Sequence, residues 1–288
     1  MRLMMFERDG SVRLGVVAGE RIIDAAACDA TLPTTLHELI AADPDALSRL
    51  KTAIGHASDD AWLLLSDVTP ALPIARPGKF ICVGLNYAAH AREGGHDIPQ
   101  YPSLFVRWSS SLVAAGAPVI LPNVSEQLDY EAELTIVIGR GGRHISESSA
   151  LDHVFGYTLF NDVSVRDFQR KSNQWTPGKN FDGTGPFGPV VVTPEELPPG
   201  ASGLRITSRV NGETRQDSNT KDMIFSTAKI ISILSEFMTL EPGDVIATGT
   251  PSGVAHAMKP PGWMKAGDTV DVEIEGIGVL SNPVVAEG

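Results

Sequence analysis

The chain has 288 residues, 42% of them hydrophobic and 20% charged, with a formal net charge of −12 from 23 basic and 35 acidic side chains. That size suits one large globular unit, or a large one with a small appendage; an acidic chain without a basic stripe argues against general nucleic-acid binding, because phosphate contacts need clustered Lys and Arg. Cys28 and Cys82 alone make neither a disulfide framework nor a thiolate zinc site, and the charged start MRLMMFERDG, with no apolar run near the ~18 residues of a membrane span, predicts a cytoplasmic protein without membrane contact.

In chain order, MRLMMFERDGSVRLGVVAGERIIDAA reads as short strands joined by turns at Asp9-Gly10 and Gly19-Glu20. Helical spacing follows at Leu36, Leu39 and Ile40, then a break near Pro44 and a second helical stretch through Leu47, Leu50 and Ile54. The proline-rich TPALPIARPGK marks a boundary near residues 69 to 79. It separates a small N-terminal α+β domain, 1–70, from a main domain, 71–288. In the main domain FICVG, residues 80–84, predicts a buried strand, and NYAAHAREGG a helix ending at Gly94-Gly95. Beyond Leu121 come β-type runs: AELTIVIG, VFGYTLFND, GPVVVT, LRITSRVNGE, DVIATGT and TVDVEIEGIGVLSN. One helix, STAKIISILSEFM, interrupts them, with apolar residues at Ile230, Ile231, Leu234 and Phe237. Many β runs with few helices exclude a doubly wound sheet and predict a β-rich α+β fold.

The stretch LDYEAELTIVIG, Leu128 to Gly139, sets two carboxylates one residue apart at the mouth of an apolar strand. Alternation puts Glu131, Glu133, Thr135 and Val137 on one face. Like charges that close raise each other's pKa unless a cation or donors neutralise them, and a hard divalent ion does so through carboxylate oxygens and water. A solvated strand end is the other reading of this pair. LFNDVSVRDFQ ends a strand at Asn161 and Asp162; Asp162 completes a three-carboxylate site for Mg2+ or Mn2+, or caps a helix beginning at VSVRDFQRK. GRGGRH at 139–144 lacks phosphate-loop spacing, and the absence of G-x-S-x-G removes support for a serine hydrolase.

VGLNYAAHARE, DYEAEL, FNDVSVRDFQ, GKNFDGTGPFGP and GDVIATGTPSGV, in that order, resemble the fumarylacetoacetate hydrolase family over roughly residues 80 to 285. The resemblance implies a mixed β-sandwich roll, a homodimer, and a Mg2+ or Mn2+ ion held by Glu131, Glu133 and Asp162. It implies catalytic roles for Lys179 and for a His90-Glu93 dyad on a lid-like helix, and substrate contacts from Gln169 and Thr250. Arg107 in LFVRWSSSL, with Ser109 and Ser110 beside it, is a candidate grip for a distal carboxylate or a structural group. His96 lies on a loop with a solvent or catalytic role. Residues 1 to 70 are short and offer no equivalent of the further metal-binding Asp of the larger eukaryotic member, so the chain is similar to the shorter branch. That branch implies a small 2-oxo acid substrate. Metal-dependent C–C cleavage of an acylpyruvate is the first expectation, oxaloacetate decarboxylation or hydroxymuconate-type isomerisation the alternative, and a catalytically silent metal-binding scaffold the contrasting case.

Overall fold

The structure, a computed structural model, describes residues 1–43 and 45–288. Ten strands run side by side in its main sheet. From one edge these are Trp62–Leu64, Arg21–Asp24, Ser11–Ala18, Arg2–Arg8, Gly185–Val192, Val154–Asn161, Ala132–Ile138, Val245–Ala247, Phe80–Gly84 and Ser103–Val106. Most neighbours are antiparallel; Val245–Ala247 and Phe80–Gly84 are parallel. A second sheet orders Glu213–Asn219, Arg205–Val210, Thr269–Ile274, Gly278–Ala286 and Val119–Leu121.

The main sheet is covered on both faces. On one, Leu134, Ile136 and Ile246 share a core with Ile206, Val272 and Leu280 of the second sheet and with Ile230, Ile231 and Leu234 of the helix Thr227–Phe237. On the other, Val137, Phe160, Phe187 and Val191 pack with Leu3, Leu36 and Leu50 from the N-terminal segment. Burial on both faces is why AELTIVI is apolar almost without alternation after its glutamate: every residue of that strand is buried. Phe237, expected on the apolar side of its helix, is instead 49% exposed, because the helix ends there and the last turn passes the edge of the core.

The first 70 residues share this sheet and this core. Arg2–Arg8 pairs with Gly185–Val192 through Arg2↔Val192 and Met4↔Val190, so the proline-rich boundary crosses no gap in the hydrogen bonding. The expected turns occur, with Asp9 at φ 51 and Gly10 at φ 70. Helices Leu36–Ala41 and Ala46–Gly55 form as expected, the first under a Thr35-Glu38 capping box. The expected break at Pro44 lies outside the described residues. Several strands escaped the sequence reading, the short Trp62–Leu64 and Val119–Leu121 among them, and two show the physical reason. Glu213–Asn219 is an edge strand of polar residues, and Ser103–Val106 is a four-residue edge strand without full alternation. No described helix is long and apolar enough to cross a membrane.

Candidate active site

Strand register gathers the acidic groups. Ala132 pairs with Asn161, and the Asp162 amide donates to the Glu131 carbonyl at 2.9 Å. Residues far apart in sequence thus become neighbours at one end of the sheet. Asn161 secures the corner, its Oδ1 accepting from the Glu131 amide at 3.0 Å. On the other side of the strand, Thr135 pairs with Ala247, which delivers the TGTPSG loop to the same end. There the Gly249 amide donates to Glu133 Oε2 at 2.9 Å. Gly249 has φ +98, and a Cβ on it would meet the Val83 carbonyl and the Asn86 Cβ at 2.8 Å, so only glycine lets this amide approach the carboxylate.

Glu131, Glu133 and Asp162 are all buried, and one carboxylate oxygen from each lies within 4.8 Å of the others. Asp162 is therefore no helix cap; the short helix Arg166–Gln169 starts after Val165. Lys179, itself buried, donates to Glu131 Oε2 at 2.8 Å and to Asp162 Oδ2 at 2.7 Å. Arg166 faces Glu131 Oε1 from Nη2 at 2.6 Å, reaches Asp129 Oδ2 from Nε at 2.8 Å and Gln169 Oε1 from Nη1 at 2.9 Å.

Formal charges do not balance. Asp129, Glu131, Glu133 and Asp162 face Arg107, Arg166 and Lys179, leaving one carboxylate in excess. Burial pushes Glu131 up, but Lys179 and Arg166 outweigh it and hold its carboxyl well below the usual range. Glu133 goes the other way: burial, then Asp162 and Glu131, push it well above that range. Three convergent carboxylates with a surplus negative charge form an all-oxygen donor set, which fits a hard divalent ion such as Mg2+ or Mn2+.

Because Glu133 must lose its proton to act as a ligand, ion binding is expected to release a proton and to weaken about tenfold per pH unit below that raised pKa. Calorimetric titration with Mn2+ in buffers of different ionisation enthalpy measures the release. Affinity that falls with pH while no proton is released would contradict the assignment of Glu133.

A cleft of about 620 Å³ opens over the carboxylates, walled by His90, Glu93, Gln169, Lys179 and Thr250 among others. His90 Nδ1 lies 2.8 Å from Glu93 Oε1 on the helix Ala88–Glu93, and Glu93 in turn accepts from the Gly253 amide at 3.0 Å. Thr250 Oγ1 donates to the Ala132 carbonyl at 2.9 Å and accepts from Gln216 Nε2 at 2.8 Å.

The fumarylacetoacetate (FAA) hydrolase C-terminal family profile matches residues 79–285. The chain belongs to the fumarylacetoacetate hydrolase family. The mitochondrial oxaloacetate tautomerase fahd2 of Xenopus laevis is 42% identical over 291 residues, covering 99% of this chain and 90% of its own length. Among solved structures, the fumarylacetoacetate hydrolase of psychrophilic Exiguobacterium antarcticum superposes with a TM-score of 0.84 at 40% identity, over 100% of both chains. The maleylpyruvate hydrolase of Sphingobium sp. SYK-6, crystallised with manganese(II) and pyruvate, gives 0.82 at 31% identity, again over 100% of both. The β-rich mixed fold is that of the fumarylacetoacetate hydrolase neighbours, and the chain is an enzyme of their superfamily.

Within this family member, eight of the nine expected site residues meet at the cleft; Arg107 does not. Its side chain is fully buried behind Asp162, with Nε and Nη2 both on Asp162 Oδ1, at 2.8 and 2.6 Å, and further bonds to the Val163 carbonyl and Thr184 Oγ1. A guanidinium with no exposed edge finds the nearest buried carboxylate and cannot reach a substrate in the cleft. Ser109 and Ser110 lie on the following turn, outside the wall, whereas His96 is part of it.

Four residues that the sequence reading passed over also shape the site: Asp129, Arg166, Gln216 and His256. Asp129 is buried and accepts from the Tyr130, Ala255 and His256 amides as well as from Arg166. Extending the alternation one step back from Glu131 reaches it, so the signal was present. Gln216 bridges the Ala132 amide, Thr250 Oγ1 and the Pro251 carbonyl from the second sheet, and no local pattern announces it.

Proposed function

We propose that the protein is a divalent-metal-dependent enzyme that interconverts the enol and keto forms of a short 2-oxo acid, with oxaloacetate as the first substrate to test. The observation that carries this reading is the convergence of Glu131, Glu133, Asp162 and Lys179 with the His90-Glu93 dyad on one cleft. The near full-length similarity to an oxaloacetate tautomerase supports oxaloacetate as the substrate to test first. Glu131, Glu133 and Asp162 would hold the ion, which when bound supplies a Lewis acid that polarises a keto oxygen.

The chain's own residues divide the remaining work. Glu93, fixed by the Gly253 amide, accepts the Nδ1 proton of His90, which leaves Nε2 as the ring atom that takes or returns a proton at substrate C3. Lys179 stays charged in its buried position: burial opposes the ammonium, but Asp162 and Glu131 outweigh it. It adds fixed positive charge at the floor of the cleft, where an enolate needs it. Gln169, oriented by Arg166, and Thr250, tied to Ala132 and Gln216, offer polar contacts to the acid end of the substrate.

A second reading, C–C hydrolysis of an acylpyruvate, is favoured by the same dyad, which can take its proton from water instead of carbon. Following the enol absorbance of oxaloacetate and the loss of an acylpyruvate chromophore side by side, with and without chelator, separates the two. Metal-dependent turnover of the acylpyruvate alone would replace tautomerisation by hydrolysis.

The helix carrying the dyad is also proposed to close as a lid, since residues 94–102 join it to the sheet edge with little regular structure and Gly95 has φ 75. Hydrogen exchange over residues 85–105 is expected to slow when Mn2+ and oxalate are both present. Identical exchange with and without them would remove the lid.

A further inference from the structure

His256 stands in the wall of the same cleft, on the loop after TGTPSG, and no step of the enolate chemistry uses it. Its backbone is fixed: the Ala255 and His256 amides donate to Asp129 Oδ1 and Oδ2 at 2.7 and 3.0 Å, the carboxylate that also receives Arg166 Nε. The residue therefore sits on an anchored short 3-10 turn, Ala255–Ala257, rather than on a free loop.

Nδ1 of His256 is shut off from solvent and has no hydrogen-bond partner among the described residues. A protonated ring would place an N–H there without an acceptor, which is costly. The surroundings also oppose a charge. Burial comes first, then Arg166, with Arg170 adding to it and Asp129 and Glu131 offsetting part, and together they push the ring below the ordinary histidine range. A neutral ring whose lone pair is the buried Nδ1 carries its hydrogen on Nε2, the nitrogen left to face the cleft.

We propose that His256 is a specificity-determining residue whose Nε2–H donates to the distal carboxylate of a 2-oxo dicarboxylic acid, while the keto-acid end of that substrate sits over Glu131, Glu133 and Asp162. Arg170, in the same wall and held by its own bonds to the Arg166 carbonyl and Gln127 Oε1, supplies positive charge for that carboxylate. This deepens the 2-oxo acid reading and rests on it. It explains how an acidic protein would hold a doubly acidic substrate: by local donors rather than by its overall field.

The test uses two ligands of the Mn2+-loaded protein. Oxalate occupies the keto-acid end and has nothing distal; 3,3-difluoro-oxaloacetate carries the distal carboxylate and has no hydrogen at C3 to lose. In His256→Leu, calorimetric affinity for difluoro-oxaloacetate is expected to fall about 10- to 100-fold, the loss of a hydrogen bond to a charged group. Oxalate and Mn2+ affinities stay as in wild type, and His256→Asn recovers part of the loss. An equal fall for both ligands would make His256 a structural support of its loop, and no fall for either would remove it from recognition; each overturns the assignment. Wild-type protein that binds neither ligand would overturn the 2-oxo acid reading, and this assignment with it.

Discussion

Glu133→Gln is expected to move metal affinity and stability in opposite directions. The carboxylate that the folded protein neutralises least is Glu133, which burial and the neighbouring Asp162 and Glu131 push well above the ordinary carboxylate range. A raised folded pKa means that Glu133 contributes stability below its unfolded pKa and loses it as pH rises through the folded value. Without a divalent ion, ionisation of this buried side chain as pH rises opposes folding. The isosteric amide removes that charge and still accepts the Gly249 amide. Metal-free Glu133→Gln should therefore melt no lower than metal-free wild type above pH 7. Its Mn2+ affinity should fall by about a hundredfold or more, since losing even an outer partner of a metal ligand costs up to ~100-fold. Thermal scans with and without Mn2+ read both effects. A variant that keeps the wild-type rise in melting temperature on adding Mn2+ would take Glu133 out of the metal site.

His90→Ala is expected to lower turnover by about 10²- to 10⁴-fold, the range for a lost general acid or base, with Mn2+ affinity within about a factor of two of wild type because the ring is hydrogen-bonded to Glu93 and to none of the three carboxylates. If His90 moves the proton at C3, deuterium exchange from solvent into C3 of pyruvate on the metal-loaded enzyme should fall in parallel. If it serves only hydrolysis, acylpyruvate cleavage falls and exchange at C3 persists. Loss of neither leaves the dyad without a catalytic role. Glu93→Gln keeps the shape of the pair but removes the charge that holds the Nδ1 proton; it should fall between wild type and His90→Ala.

Much of the candidate metal site was legible because it rests on local patterns. Glu131 and Glu133 stand out through strand alternation, Asp162 through its place at the end of the next apolar strand, and antiparallel register then joins them. His90 and Glu93 lie one helical turn apart, so any helix over that stretch pairs them. What escaped depends on contacts between distant segments. Arg107 reads equally as a grip for a distal carboxylate or as a structural group until the fold puts Asp162 against it. Gln216 acquires its partners only when the second sheet docks on residues 132 and 250, and His256 enters the cleft because Asp129 pulls in its backbone. Similarly, the N-terminal segment looks detachable in composition, yet Met4↔Val190 and its neighbouring pairs join it to the main sheet.

The central claim, a divalent ion at Glu131, Glu133 and Asp162 serving enolate chemistry, is tested most directly by following the enol absorbance of oxaloacetate with enzyme stripped by chelator and then reconstituted with Mn2+. The rate should drop to the uncatalysed value on stripping, return on adding Mn2+ to wild type, and stay low in Glu133→Gln at the same ion concentration. Full turnover by the stripped enzyme, or equal restoration of wild type and Glu133→Gln at sub-saturating Mn2+, would contradict it.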